Sequence, residues 1–359
     1  MTFVQPFTYQ ALPMRVVFGA GSVASLPAEI ERLGYERALI LCGPEQEATG
    51  RRIADALGAR AAGVLARARM HVPLEVADLA RDRARELGAD CCVAVGGGSA
   101  IGLGKAVALA HGLPVLAVPT TYAGSEMTPI WGLTENGSKR TGRDPRVLPV
   151  SVVYDAELTL TLPSALSVTS GINAVAHAVE ALYAPDANPI ISLMAEEGVR
   201  ALTRALPALV DDGQDIEART QAQYGAWLCG ACLGSTAMSL HHKLCHSLGG
   251  TLDLPHAPTH TVVLPHALAY NQPGAPQAVA ALSRALDGAP DPASRLWELA
   301  GQLGAPRSLR ELGMAEQDIE RIVEQVLANP YANPVEVTAP GLTRLLQAAW
   351  AGEPPATGS

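Results

Sequence analysis

No stretch of the chain reaches the ~18 consecutive apolar residues that a membrane-spanning helix needs. The N-terminal MTFVQPFTYQALPMR has neither the basic start nor the apolar run of a secretory signal. A cytoplasmic protein with no membrane association is therefore expected. Charge is scarce as well: 17% of residues are charged, and the formal net charge is -9. Nucleic acid demands a basic stripe, so no nucleic-acid partner is expected. Cys229 and Cys232 form a CxxC, but no second pair follows, and Trp227, Leu228 and Ala231 around them mark a buried helix. The six cysteines read as core thiols. Internal repeats and low-complexity blocks are missing. So are the GxGxxG spacing and the Lys-Ser/Thr ending of a Walker A loop.

What is present is a large apolar content, 48% of 359 residues. Single cores stop growing near ~250–300 residues, so two domains are expected. Residues 14–155 alternate short apolar runs with helical patterns, the signature of a parallel α/β sheet. MRVVFG, RALILCG, Asp90–Val95, Pro114–Val118 and Val150–Tyr154 read as strands. Ser25 and Pro27 open a helix that Gly34 closes, and a second helix runs through Ile53, Ala56 and Leu57. Pro73–Leu87 is amphipathic, with Leu74, Ala77, Ala80, Ala84 and Leu87 at helical spacing. After Pro163 helical periodicity continues to the end, broken near Pro273–Gly274 and Asn329–Pro334. The expected organisation is an α/β N-terminal domain with a parallel Rossmann-like sheet (1–158, dinucleotide-binding) and an all-α C-terminal domain (159–359, catalytic). The tail GEPPATGS is expected to fray.

Two loops suit a nucleotide. Gly96, Gly97, Gly98 and Ser99 lie between a buried strand and the helix Ser99–His111. Glycines let the backbone approach an anion, Ser99 is placed to cap the helix, and the helix N-terminus offers free amides. A triple glycine alone fits a tight turn equally well, but its place at the end of a parallel strand favours the ligand loop. The second loop, Pro119–Glu126, concentrates hydroxyls: Thr120, Thr121 and Ser125 can bond ribose or a nicotinamide amide. Lys139, in the turn ENGSK, is a cofactor contact or an ordinary exposed lysine.

Six of the nine histidines fall between positions 241 and 266. His242 and His246 stand at i and i+4 in LHHKLCHSLGG, as do Asn173 and His177 in SGINAVAHAVE, so each pair shares a helix face. His256 comes from the next loop. A single histidine in an apolar segment is usually structural; four imidazoles with an amide make a functional set. The pattern is close to a transition-metal site, with an amide where a carboxylate is expected. His241, His260 and His266 have weaker claims, and His266 fits a core or helix-start position.

FGAGS (Phe18–Ser22), GGGSAIGLGKAVA (Gly96–Ala108), PTTYAGSE (Pro119–Glu126), GINAVAHAVE (Gly171–Glu180), HHKLCHSLGG and LPHAPTH together resemble the iron-containing alcohol dehydrogenase superfamily over nearly the whole chain. In metal-dependent members one aspartate and three histidines hold the ion. The resemblance maps these onto Asn173, His177, His242 and His256, and it puts His246 beside the substrate. Asn173 is a poorer ligand than aspartate, so a vestigial site and no required metal are expected. Gly102 stands where members commonly carry an acid. Gly43 stands where an aspartate commonly binds the adenosine ribose, so the resemblance implies acceptance of NADH or NADPH.

These departures, with TENGSKRTGRDPRVLP and NPVEVT, resemble the maleylacetate reductase branch. That branch implies NAD(P)H-dependent reduction of 2-maleylacetate to 3-oxoadipate in aromatic-compound degradation. Asn173, His177, His242, His246 and His256 would line the catalytic site, with His242 or His246 as proton donor. The small dicarboxylate substrate calls for cations, for which Lys243, Arg140 and Arg143 stand as candidates or as plain surface charges. Tyr122 is a further candidate contact. A homodimer is expected. The alternative is a metal-dependent alcohol dehydrogenase acting on a small alcohol or aldehyde with Fe²⁺ or Zn²⁺.

Overall fold

Strands buried on both faces need unbroken apolar runs, and the first half of the chain supplies them. The computed structural model describes residues 6–135 and 138–356. Its strands are β1 (Arg15–Phe18), β2 (Ala38–Cys42), β3 (Ala61–Ala66), β4 (Cys91–Gly96), β5 (Val115–Pro119), β6 (Ile130–Glu135), β7 (Ser138–Arg143) and β8 (Ser151–Tyr154). Six of them form one parallel sheet in the order β1-β8-β5-β4-β2-β3, while β6 and β7 pair as a separate antiparallel hairpin.

The two-residue period of a strand divides the core. Ile40, Cys42, Val93 and Val95 face Leu26, Ile30, Ile53 and Leu57 of α1 (Leu26–Leu33) and α2 (Glu47–Leu57). Leu39, Leu41 and Cys92 face Val76, Ala80, Leu103 and Val107 of α3 (Leu74–Glu86) and α4 (Gly98–His111). The chain leaves β2 toward β3 but leaves β4 toward β5 and β8. The carboxyl ends of β2 and β4 therefore flank the point where strand order reverses. Two elements escaped the sequence reading. β3 is alanine-rich and has weak strand propensity. β6 and β7 take in Glu135, Ser138 and Lys139 of the segment read as the turn ENGSK, whose Asn136 and Gly137 lie outside the described residues.

This sheet unit comprises Pro13–Leu162 and Gly213–Gln223. The second unit includes Pro163–Asp212 and the chain from Tyr224 on. It is helical: α5 (Ser164–Leu182), α6 (Pro189–Asp211), most of α7 (Ile216–Ser235), α8 (Leu240–Leu252), α9 (His256–Asn271), α10 (Pro276–Ala285), α11 (Pro292–Gln302), α12 (Asp318–Ala328) and α13 (Ala339–Ala351). α5 is buried on nearly all sides from Ser167 on, as a helix apolar all round should be. Leu244, Leu248, Val263, Ile322, Leu342 and Leu346 share one core across α8, α9, α12 and α13. Among the described residues no helix is long and apolar enough to cross a membrane. The six cysteines are free and buried.

Inside the sheet unit one buried charge organises a loop. Lys105 of α4 is 1% exposed, and its ammonium donates to Ser125 O (2.7 Å), Thr128 O (2.8 Å), Ile130 O (2.8 Å) and Thr128 Oγ1 (3.0 Å). Burial pushes its pKa down to about 7, opposed by the buried Glu126 carboxyl. Carbonyl oxygens can only accept, so this cage holds the lysine in its charged form. Glu126 Oε1 in turn accepts from Tyr154 Oη at 2.8 Å. Replacing Lys105 with Met strips three carbonyls of their donor. We expect Lys105→Met to lose ~3 kcal/mol or more of stability, read by denaturant unfolding, with Lys105→Arg failing to restore it in so tight a cage.

Candidate active site

The glycine loop follows β4. Gly96 has φ +142°, a conformation open to glycine, and a Cβ on Gly97 would lie 2.9 Å from Thr121 Cγ2. Gly98 has nothing within 4 Å of its missing side chain, so its backbone is open to a ligand. Thr120 N donates to Gly96 O at 3.1 Å, which joins the second loop to the first. Gly96, Gly97, Gly98, Thr120 and Thr121 are thus gathered at the start of α4, and a pyrophosphate fits this side-chain-free cradle.

Ser99 differs from expectation. The helix begins at Gly98 with Gly97 as N-cap and no side-chain cap, because the Gly97 carbonyl already accepts from Ala100 N and Ile101 N. Ser125 is tied to Lys105 through its carbonyl. Tyr122 is corrected as a substrate contact: it has no exposed surface, and its hydroxyl accepts from Arg219 Nη1 at 3.3 Å. The Lys139 side chain lies outside the described residues. Gly102 faces Val72, whose Cγ2 would be 2.7 Å from an added Cβ. His71 and Val72 hold φ +62° and +46°, pinned by Thr134 Oγ1→His71 O (2.8 Å) and Thr134 N→Val72 O (3.1 Å). An acid at 102 has no room beside that strained turn.

In the helical unit the histidines converge. Ring centroids lie 5.1 Å apart for His177–His242, 5.0 Å for His242–His260, 4.2 Å for His256–His260 and 5.9 Å for His242–His246. His241 sits among them, 5.0 Å from His242 and 4.8 Å from His260. The weaker claim given to His241 and His260 is therefore revised, whereas His266 is a buried residue inside α9. His177, His241, His242 and His260 are buried; His246 and His256 are exposed. Burial, reinforced by neighbouring imidazoles, holds His177, His242 and His260 well below the usual imidazole range and His241 at about 4. The deep end of the set is uncharged at neutral pH.

Glu180, which the sequence reading passed over, organises this end. Its Oε1 accepts from His241 N at 2.7 Å, and its Oε2 accepts from Ser239 N at 2.9 Å and faces His242 Nδ1 at 2.7 Å. Burial pushes its carboxyl up, and the donors around it oppose that shift. Both oxygens already accept from backbone, so the proton of the His242 contact sits on Nδ1, and Nε2 keeps its lone pair. Position 180 continues the Asn173–His177 face at i+7, a spacing that makes it findable in the sequence. At the exposed end His246 Nδ1 is 3.3 Å from Tyr331 Oη, and Lys243 Nζ stands 5.5 Å from the Tyr331 ring centre. Lys243 thus lies beside the histidines. Arg143 and Arg140 are exposed on β7, where Arg140 faces Glu135 at 3.9 Å.

Asn173 Oδ1, His177 Nδ1, His242 Nε2 and both ring nitrogens of His260 are buried without a protein partner. Buried polar atoms are rarely left unpaired, so they mark a polar ligand. The mapped set is a weaker cage for a divalent ion than one with a carboxylate. Asn173 supplies no charge, and the triads that converge among the described residues are Glu180–His241–His242 and His241–Cys245–His260, neither of which is the mapped set.

The chain is similar to known proteins over nearly its whole length. Residues 13–156 match the family model for iron-containing alcohol dehydrogenase, and residues 167–350 match the model for the C-terminal part of that family. A maleylacetate reductase of Sphingobium indicum is 55% identical over 98% of this chain and 99% of its own length. One from Burkholderia cepacia is 55% identical over 97% and 99%. The crystal structure of maleylacetate reductase from Agrobacterium tumefaciens superposes with a TM-score of 0.94 at 52% identity, covering 98% of this chain and 100% of that one.

Glu180→Gln turns an amide N–H₂ toward one of the three donors. We expect it to lose ~2 kcal/mol of stability by denaturant unfolding and ~10–100-fold in turnover, because His242 is no longer oriented.

Proposed function

The chain belongs to the iron-containing alcohol dehydrogenase family, and we propose that this oxidoreductase reduces 2-maleylacetate to 3-oxoadipate with NADH or NADPH and without a metal ion. The observation that carries the reading is the uncharged set of unpartnered buried groups around Asn173, leading out to Lys243, His246 and Tyr331. Its relatives named maleylacetate reductase support the same substrate.

When bound, the nicotinamide cofactor supplies a hydride. The glycine loop, with its open amides, suits the pyrophosphate, and Thr120 and Thr121 suit neighbouring hydroxyls or the carboxamide. The substrate is a dianion carrying an alkene conjugated to its ketone. Hydride addition to the carbon β to the ketone gives an enolate, and protonation of the α carbon completes the reduction. Asn173 and His177 are neutral and supply hydrogen-bonding groups to the ketone oxygen as charge builds on it. An aspartate at 173 would repel both the dianion and the enolate. His242, fixed by Glu180 through Nδ1, presents Nε2 as an acceptor, which suits a donor group at the site and not the ketone oxygen. His246 is the proton donor: it is exposed and held by Tyr331, whereas the His242 Nδ1 proton is committed to Glu180. Lys243 pairs with a carboxylate of the substrate, and His256 closes the polar wall.

The second reading, a metal-dependent alcohol dehydrogenase, rests on the family's metal-binding members and on three retained histidines. One assay separates the two. Purified protein treated with chelator is expected to oxidise NADH when maleylacetate is added; no turnover at micromolar enzyme, with activity regained on adding Fe²⁺ or Zn²⁺, overturns the proposal. His246→Ala is expected to slow that turnover by ~10²–10⁴, with Tyr331→Phe showing a smaller loss in the same assay.

A further inference from the structure

The resemblance left Gly43 as a gap in the expected adenosine site, because glycine carries no carboxylate. The structure fills that gap from two residues further on. Gly43 is extended at the end of β2 (φ -76°, ψ 162°), and a Cβ built on it would lie 2.1 Å from Glu45 Oε1 and 2.6 Å from Glu45 Cδ and Oε2. The Glu45 carboxylate therefore occupies the space where a side chain at 43 would begin. Pro44 fixes the path, since the short 3-10 turn Pro44–Gln46 folds Glu45 back over the strand end.

The strand register places this carboxylate where a dinucleotide needs one. Cys42 pairs with Val95, so Gly43 stands level with Gly96 on the neighbouring strand, one strand spacing (~4.8 Å) away. Ends of adjacent parallel strands at a change of strand order form the crevice in which nucleotides bind. With a pyrophosphate on the loop of β4, the adenosine ribose reaches the end of β2. An apolar cavity of about 300 Å³ begins at Pro44 and continues over Val76 and Leu79, a surface that an adenine ring can cover. Two cations also line it. Arg69 is held by Glu75 at 2.8 Å, and Arg67 is exposed just past the end of β3.

We infer that Glu45 is the specificity-determining residue for the adenosine ribose, its carboxylate accepting from the 2′- and 3′-hydroxyls of NADH and repelling the 2′-phosphate of NADPH. The charge lost at position 43 is restored by a residue two positions on, and the protein prefers NADH. The inference rests on the proposed use of a nicotinamide cofactor. It reverses the open NADH-or-NADPH choice that glycine alone implied.

The test is direct binding, independent of turnover. Dissociation constants of NADH and NADPH are measured by quenching of protein fluorescence for the wild type, Glu45→Gln, Glu45→Ala, and Glu45→Ala combined with Gly43→Asp. The wild type is expected to bind NADH more tightly. Glu45→Gln and Glu45→Ala are each expected to shift the ratio of the two constants about tenfold toward NADPH. Gly43→Asp, free of its clash once Glu45 is shortened, is expected to return the ratio toward NADH. Folding is checked by an unchanged circular dichroism spectrum; Glu45 is exposed, whereas Gly43 is buried at the end of the strand. An unchanged ratio in both Glu45 variants overturns the inference while leaving the cofactor reading intact. So does a wild type that prefers NADPH and loses that preference in Arg67→Ala. Failure of the wild type to bind either dinucleotide overturns both.

Discussion

The carboxylate of Glu180 is fully buried and serves three donors at the head of α8: Ser239 N, His241 N and His242 Nδ1. α5 brings this carboxylate on the same face as Asn173 and His177. The first turn of α8 would otherwise present unsatisfied N–H groups to an apolar core, a cost that fixes the two helices against one another. The positions of His241, His242 and His246 follow from this bond set, and so does the direction in which His242 points its free nitrogen. The histidine cluster is in this sense a consequence of one acid.

The sheet unit carries a parallel arrangement with the opposite sign. Lys105 is a buried ammonium whose partners are backbone carbonyls at Ser125, Thr128 and Ile130. It holds the end of the Pro119–Glu126 loop in place, while Thr120 joins the start of that loop to Gly96. Each unit therefore places its polar loop by a single buried charge whose hydrogen bonds run mainly to main chain. Such arrangements are intolerant of substitution because a buried charge and its acceptors have no solvent to fall back on.

Much of the framework was legible in the chain itself. Unbroken apolar runs such as Asp90–Val95 marked the central strands, and Leu74, Ala77, Ala80 and Ala84 marked the buried face of α3. Pairs at i and i+4 put Asn173 with His177 and His242 with His246. Features governed by local competition were less legible. Ser99 does not cap its helix, because Gly97 can take the cap position without a side chain. β3 went unread because Ala61 and Ala62 carry little strand signal, and β6 and β7 went unread although a turn was placed at ENGSK between them. Tyr122 looked available in a polar loop, yet Arg219 from far along the chain takes its hydroxyl into the core.

Taken alone, the sequence determined which residue types were available: a glycine loop at a strand end, a histidine set, and an amide in place of an acid at 173. It also determined their helix faces and strand parity, because those follow from backbone periods of 3.6 and 2 residues. Only the tertiary structure decided which groups meet. It ranked His241 and His260 with the central histidines, made Glu180 their organiser, gave Gly102 its reason in the strained Val72 turn, and laid the Glu45 carboxylate over Gly43. Contacts of that kind depend on where separate elements cross and how a side chain folds back. Periodicity along one chain carries no information on either.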